Sequence, residues 1–379
     1  MRSYVNILVL VLLFCSCETK QQITPTSTQA AVVEAEVRTE RKNDKPKNVI
    51  LMIGDGMGLT QISAGMYSND NVTAMERCKV IGLQKTHAYN DLVTDSAASA
   101  TAFGCGVKSY NGAIGVDKDT MPVKSILKYA QDKNMPTGLI ASSTIVHATP
   151  ACFYSHNKYR RNYEEIAIDM VGSDVDFLVG GGKKFFDRRS MDDRNLLKEL
   201  ETKNYNVSHF AKEELNTIPL NIDKKFAYLT SDNDPLPVSG GRDYMIPASD
   251  MALDYLSAKA EKQGFFLMIE GSQIDWGGHA NLTSYVVSEF LEYNEIINTV
   301  LDFAEADGNT LVVITADHET GGLAINPGST MDTLVTQFTT PKHTGTMVPV
   351  FAYGPGAENF SGIYDNTQIF EKLKALIVK

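Results

Sequence analysis

Three apolar runs of this chain end in carboxylates and imidazoles, and that pairing limits what the chain can fold into. Residues 310–316 (TLVVITA) lead into Asp317-His318. Residues 48–53 lead into Gly54-Asp55-Gly56, and residues 265–269 lead into a segment holding Glu270, Asp275, Trp276 and His279. A continuous apolar run reads as a strand buried on both faces, as in parallel sheets covered by helices. In open α/β sheets, sites are built just beyond the C-terminal strand ends. Three strands bringing Asp, Glu and His to one rim point to a metal site, and a phosphate-ester hydrolase is the first reaction class this suggests.

The rest of the chain fits that frame. Candidate strands are 48–53, 137–141, 176–180, 226–229, 265–269, 310–315 and 347–353. Candidate helices include 96–103, 122–133, 161–171, 192–203, 249–262, 284–305 and 366–377. The alternation is that of an α/β fold with helices on both faces of one sheet. With 379 residues, 43% of them hydrophobic, the chain can bury a large core. The stretch 183–250 is more polar and less regular, which suits surface excursions and not a separate domain. A formal net charge of −11 without a basic stripe argues against a nucleic-acid partner. It also means that an anionic substrate needs local positive charge to offset the overall field.

The N-terminus reads separately. Residues 5–14 are mostly apolar but too short to span a bilayer, which is the pattern of a signal-peptide core. Phe14-Cys15-Ser16-Cys17 resembles a lipoprotein cleavage box with Cys17 as the lipidated residue. Residues 1–17 are therefore expected to be a lipoprotein signal peptide. Residues 18–46 form a polar, flexible tether, and residues 47–379 form the catalytic domain. The protein is expected on the periplasmic side of a bacterial cell envelope, touching the membrane only through its lipid anchor. Cys78, Cys105 and Cys152 remain, an odd number without CxxC, and are expected as small buried hydrophobes.

Several segments carry chemistry. Gly54-Asp55-Gly56-Met57-Gly58 lacks the spacing of a dinucleotide loop, because position 59 is Leu. Its glycines do allow a tight turn that brings a carboxylate to a metal. In Val93-Thr94-Asp95-Ser96-Ala97-Ala98-Ser99-Ala100-Thr101-Ala102, Ser96 is expected at a helix start, where free N–H groups favour an oxyanion or phosphoryl group. The same residues also suit a plain N-cap, and both readings stand. His147, Thr149 and Pro150 precede Arg160, whose guanidinium can grip two phosphoryl oxygens. Asp275 and His279, four residues apart, can share one metal ion. His147, His279, His318 and His343 are four of only seven histidines. Carboxylate and imidazole without thiolate suit zinc in an open site, or manganese or cobalt.

The segments 95–102 (DSAASATA), 106–112 (GVKSYNG) and 317–322 (DHETGG) together resemble alkaline phosphatase, and the likeness runs over nearly all of residues 46–379. The resemblance implies a three-layer αβα sandwich around a large, mostly parallel central sheet. It implies hydrolysis of phosphate monoesters to alcohol and inorganic phosphate through a phosphoserine on Ser96. Two zinc ions and one magnesium ion are implied. Asp275, His279 and His343 match the ligands of one zinc, and Asp317 and His318 those of the second. Asp55, Thr149 and Glu270 match the magnesium ligands, with Asp55 bridging two sites. Arg160 matches the phosphate clamp, oriented by Asp95. His147 stands where some members have Asp, and Trp276 where some have Lys. That pairing resembles certain bacterial members, in which no lysine reaches the phosphate at this point. The segment between His318 and His343 is too short for the large crown-like insertion of some relatives. A homodimer is compatible with the resemblance.

Two alternatives compete on the same fold. A sulfatase needs a Cys/Ser-x-Pro-x-Arg segment, which residues 96–100 lack. A phosphodiesterase typically has a Thr nucleophile and no counterpart of Arg160. A metal- or phosphate-binding lipoprotein without activity is disfavoured by the full ligand set standing together with Ser96.

Overall fold

The structure, a computed structural model, describes residues 45–331 and 333–378. The expected signal segment, Cys17 and nearly all of the tether lie outside the described residues. The strands are β1 (Asn48–Gly54), β2 (Val80–Lys85), β3 (Thr137–Thr144), β4 (Phe177–Gly181), β5 (Tyr205–His209), β6 (Lys225–Leu229) and β7 (Phe266–Gly271). They continue with β8 (Thr310–Thr315), β9 (Glu319–Thr320), β10 (Leu323–Ile325), β11 (Thr336–Phe338), β12 (His343–Thr344), β13 (Val348–Tyr353) and β14 (Gly362–Asp365).

Ten of these strands form one sheet in the order β14-β2-β13-β8-β1-β7-β3-β4-β6-β5. Strand β13 runs antiparallel to its neighbours β2 and β8, and every other pairing in the sheet is parallel. The central strands are buried throughout, which is why their sequences are unbroken apolar runs rather than alternating ones.

Side chains of one strand divide between two cores. Val49, Leu51 and Ile53 of β1 pack with Ala97, Ala100 and Phe103 of helix Ser96–Cys105 and with Ile369 and Leu373 of helix Thr367–Val378. Ile50 and Met52 face the other way, toward Leu253 and Leu256 of helix Met245–Lys259 and Phe290 and Ile297 of helix Thr283–Asp307. The period of two along a strand thus produces a helix layer on each face, the expected three-layer αβα arrangement.

Register brings the ends of β8, β1, β7 and β3 together. Ile53 pairs with Thr315 on one side and Glu270 on the other, and Glu270 pairs with Ala141. Whatever follows these positions shares one rim of the sheet. At that rim Gly56 has φ +72, and a Cβ there would lie 2.6 Å from the Asp275 Cα. The β1 turn therefore needs glycine both for its backbone angle and for its close approach to the segment after β7.

All seven expected strands are present. Strands β2, β5 and β14 were not expected, nor were helices Leu59–Tyr67 and Gln273–His279. The expected helix 122–133 is only Ile126–Gln131, where Ser125 accepts a hydrogen bond from the Lys128 N–H and sets the start. Residues 183–250 contribute β5, β6 and short helices to the same compact unit as the rest of the described chain. Cys78, Cys105 and Cys152 are free and buried.

Candidate active site

Ser96 is the first residue of helix Ser96–Cys105 and is buried. Asp95 before it is the N-cap, accepting from the Ala98 N–H at 2.9 Å. Its second carboxylate oxygen accepts from Arg160 at 2.9 Å. Asp95 therefore caps the helix and holds Arg160 with the same carboxylate. Asn111 accepts from the Asp95 N–H at 2.9 Å. The small residues after Ser96 let the helix sit under the strand ends, and the Ser99 hydroxyl donates to the Asp317 carbonyl at 2.7 Å.

Four carboxylates crowd the rim. Asp55 follows β1, Glu270 lies near the end of β7, Asp275 lies on helix Gln273–His279, and Asp317 follows β8. Asp55, Glu270 and Asp317 are wholly buried. His318 Nε2 lies 3.1 Å from Asp317 Oδ2, 3.5 Å from Asp55 Oδ1 and 3.4 Å from Ser96 Oγ. On the other side, His279 Nε2 lies 3.3 Å from Asp275 Oδ2 and 3.1 Å from His343 Nε2. His343 Nε2 is itself 3.5 Å from Asp275 Oδ1.

The other ring nitrogens decide the tautomers. His279 Nδ1 lies 2.7 Å from the Pro341 carbonyl and His343 Nδ1 lies 2.8 Å from the Thr94 carbonyl. A carbonyl accepts only, so each Nδ1 carries a proton and each Nε2 is the ring nitrogen turned toward Asp275. His318 Nδ1 lies 3.2 Å from Thr320 Oγ1, whose own proton goes to Asp275 Oδ1. His318 Nδ1–H therefore donates to Thr320, which leaves Nε2 as the ring nitrogen facing Ser96, Asp55 and Asp317. Partners on one ring nitrogen that turn the other toward a carboxylate cluster in this way are the habit of metal sites.

Donor atoms gather in three groups, each within 4.8 Å: Asp275, His279 and His343; Asp55, Asp275 and His318; and Asp55, His147 and Glu270. Thr149, on the short helix Ala148–Ala151 after β3, brings its hydroxyl next to Glu270 of the third group. Among the described residues, both oxygens of Asp55, Thr149 Oγ1, Glu270 Oε1, Asp317 Oδ2 and His147 Nδ1 are buried without a hydrogen-bond partner. Orphaned buried oxygens on several carboxylates at once are costly unless a cation is shared among them. The residues present therefore fit divalent ions.

Electrostatics agree. Burial, reinforced by Asp317 and Asp275, raises Asp55 well above the usual carboxylate range. Burial also raises Glu270 to about 8, with hydroxyl bonding pulling the other way. Asp275 and Asp317 are held low although burial opposes it, Asp275 by the bond from His279 and the neighbouring imidazoles, Asp317 by His318. The hydrogen bond to Asp275 raises His279 to about 9. Burial and the Arg160 charge push His147 down to about 3, so its ring is neutral.

A cavity of about 510 Å³ opens onto this rim, with Asp95, Ser96, His147, Arg160, Asp275, Trp276, His279 and His343 in its wall. Arg160 lies in the loop after helix Ala148–Ala151. Besides Asp95, it faces His147 Nε2 at 3.4 Å. The His147 and Trp276 rings meet edge to face, with centroids 6.3 Å apart. Asn111, Gly112, Tyr159, Arg161 and Tyr163 complete the wall.

The sequence profile of the alkaline phosphatase family matches residues 46–339 and 332–378. The chain belongs to the alkaline phosphatase family. Alkaline phosphatase 3 of Bacillus subtilis is 36% identical, covering 91% of this chain and 93% of its own. The alkaline phosphatase from the Antarctic bacterium TAB5 is 44% identical with a TM-score of 0.82, covering 88% of this chain and 98% of its own. A variant of that enzyme, solved with Mg bound in its M3 site, is 43% identical with a TM-score of 0.83 over the same shares. The chain is accordingly a metal-dependent phosphomonoesterase.

Every site residue expected from sequence in this alkaline phosphatase, Cys17 apart, lies at this one rim or in the cavity wall. Sequence reasoning left Thr320, Ser99 and Asn111 without a task. All three lie inside the segments quoted for the family likeness, so the signal was proximity and not residue type.

The pKa shifts predict how cations and pH interact. Glu270 in the cation-free fold keeps its proton to about 8, against roughly 4.3 in an unfolded chain. The folded state binds more protons across that window, so cation-free stability falls as pH rises through it. A bound dication removes this penalty and releases protons. The rise in Tm on adding zinc and magnesium should be larger at pH 8 than at pH 5.5. Calorimetry showing an equal rise at both values would contradict it.

Proposed function

We propose that the chain cleaves phosphate monoesters by two successive displacements at Ser96, with two zinc ions and one magnesium ion held around it. The observation that carries this reading is the gathering of three imidazole Nε2 atoms and four carboxylates at the rim that also holds one serine at a helix start. Asp275, His279 and His343 would hold one zinc, and Asp317, His318 and Asp55 the other. Asp55, Thr149 and Glu270 offer the oxygen donors that magnesium prefers. His147 adds a nitrogen donor to that third group, so its metal preference is set by this chain's own residues. Bound divalent ions supply charge neutralisation for the phosphoryl oxygens and activation of the attacking oxygen.

The chain's residues supply the rest. Ser96 Oγ attacks phosphorus, the ester oxygen departs with the alcohol, and a phosphoserine forms. Water then attacks phosphorus, which releases inorganic phosphate and restores Ser96. Phosphoryl transfer depends mainly on positioning and charge. The helix start favours the phosphoryl oxygens. Arg160, held by Asp95, would grip two of them. The Trp276 ring in the wall offers no cation there, which supports weaker retention of product phosphate.

We also propose that the protein is anchored to the cell envelope through a lipid on Cys17, on the sequence of residues 1–17 alone. The physiological monoester would then be met outside the cytoplasm.

Three outcomes test these statements. With an aryl phosphate monoester, acid-trapped enzyme should carry phosphate on Ser96, and Ser96→Ala should carry none. Phosphate on Thr94 or Ser99 would refute the assignment, and equal rates on a diester would favour the diesterase. Arg160→Ala should lower kcat/KM about 10–100-fold, the worth of a charged hydrogen bond at roughly 1.5–3 kcal/mol. A loss as large as that of Asp317→Ala would give Arg160 a structural task instead. Cys17→Ser should abolish lipid labelling and release an active soluble enzyme. A mature N-terminus beyond residue 17, found by mass spectrometry, would rule out the anchor.

A further inference from the structure

Glu319 follows His318 directly and is buried, yet it belongs to none of the three donor groups. Its carboxylate has partners of its own. Oε1 accepts from Gln61 Nε2 at 2.6 Å and from the Leu323 N–H at 3.3 Å. Oε2 accepts from the Gly322 N–H at 3.2 Å and from the Thr344 hydroxyl. All four donors are uncharged. Removing the carboxylate from water is costly and is offset only by these bonds.

The donors come from three separate pieces of the site. Gln61 lies on helix Leu59–Tyr67, just past the Asp55 turn, and also donates to the Thr320 carbonyl at 2.7 Å. Gly322 and Leu323 close the turn after Asp317-His318. Thr344 adjoins His343 on β12. The ladder of that strand is short: β9 and β12 pair over two residues each, His343 with Thr320 and Thr344 with Glu319, and one further bond runs from the Gly321 N–H to the Lys342 carbonyl. A ladder so short is marginal by itself. Residues 341–342 and 345–347 on either side of it are exposed. Apart from the His343 Nε2 contacts with Asp275 and His279, the inward side-chain ties of β12 are the His343 bond to the Thr94 carbonyl and the Thr344 bond to Glu319.

We propose that Glu319 is a positioning residue that holds His343 against Asp275 and His279, and so sets how tightly that group retains its metal ion. The proposal rests on the reading that these three residues bind metal. Glu319 touches neither substrate nor ion. It acts through Thr344, joining the strand that carries His343 to the turn that carries His318.

Thr344→Val removes the hydroxyl and keeps the shape. Zinc affinity of the full chain, measured by chelator competition, should fall about 10–100-fold at one site, the usual effect of losing a partner behind a ligand. The visible spectrum of the cobalt-substituted protein should change. The lost kcat should return in excess zinc with KM nearly constant, and the melting of the metal-free protein should stay close to that of the wild type. Thr344→Ser should restore zinc affinity, and Glu319→Gln should lose at least as much as Thr344→Val. If Glu319→Gln fails to fold, the Thr344 pair still decides. Wild-type zinc affinity in Thr344→Val, or equal losses in the Val and Ser variants, would overturn the proposal. Failure of the wild-type protein to bind zinc with Asp275, His279 and His343 would overturn the metal reading itself, a distinct result.

Discussion

Like charges forced together in a dry place govern this molecule. Asp55, Glu270 and Asp317 are wholly buried and Asp275 nearly so. At an effective dielectric of about 20, two unit charges 4 Å apart repel by roughly 4 kcal/mol. Without cations the cluster responds with a raised proton affinity at Asp55 and Glu270. With divalent ions it can ionise fully. The parallel register of β8, β1, β7 and β3 creates the crowding, the imidazoles are oriented to complete it, and Ser96 is delivered to its edge by a helix start. The fold tolerates the repulsion because the function uses the ions that relieve it.

The same logic answers a conflict set by composition. A chain with a net charge of −11 repels an anionic ester at long range. The cavity wall sets Arg160 and Arg161 against Asp95 and Asp275, so bound metal ions would supply the net positive charge there. Field lines from a lined cleft are focused by its low-dielectric walls, so the local sign governs capture more than the total does. Asp95 takes part by fixing one face of the Arg160 guanidinium, leaving the rest of that group for substrate.

Much of this was legible in the sequence, for physical reasons that can be named. Strands β1, β7 and β8 are buried on both faces, so their apolar runs were unmistakable and the residues ending them stood out. Strand β2 is half-exposed and alternates, β5 lies at the sheet edge, and β14 is largely exposed. None has an apolar run to mark it. Helix Gln273–His279 was hidden by Gly277 and Gly278, which disfavour a helix locally and are accepted because Thr320 and Val286 lie against them. Of the site, the groups that do chemistry were readable by type and spacing. Those that orient them were not: Thr320 and Glu319 are distinguished only by what they touch, and Gln61 reaches Glu319 from 258 positions away. Contacts of that range leave no periodic trace in one sequence.

The central claim is that the strand ends hold divalent ions on both sides of Ser96. A crystal of the zinc-loaded protein, with anomalous diffraction recorded above and below the zinc edge, tests it most directly. One zinc peak is expected enclosed by Asp275, His279 and His343, and a second between His318, Asp317 and Asp55. Zinc bound elsewhere, or a single ion remote from Ser96 in a fully active crystal, would contradict it.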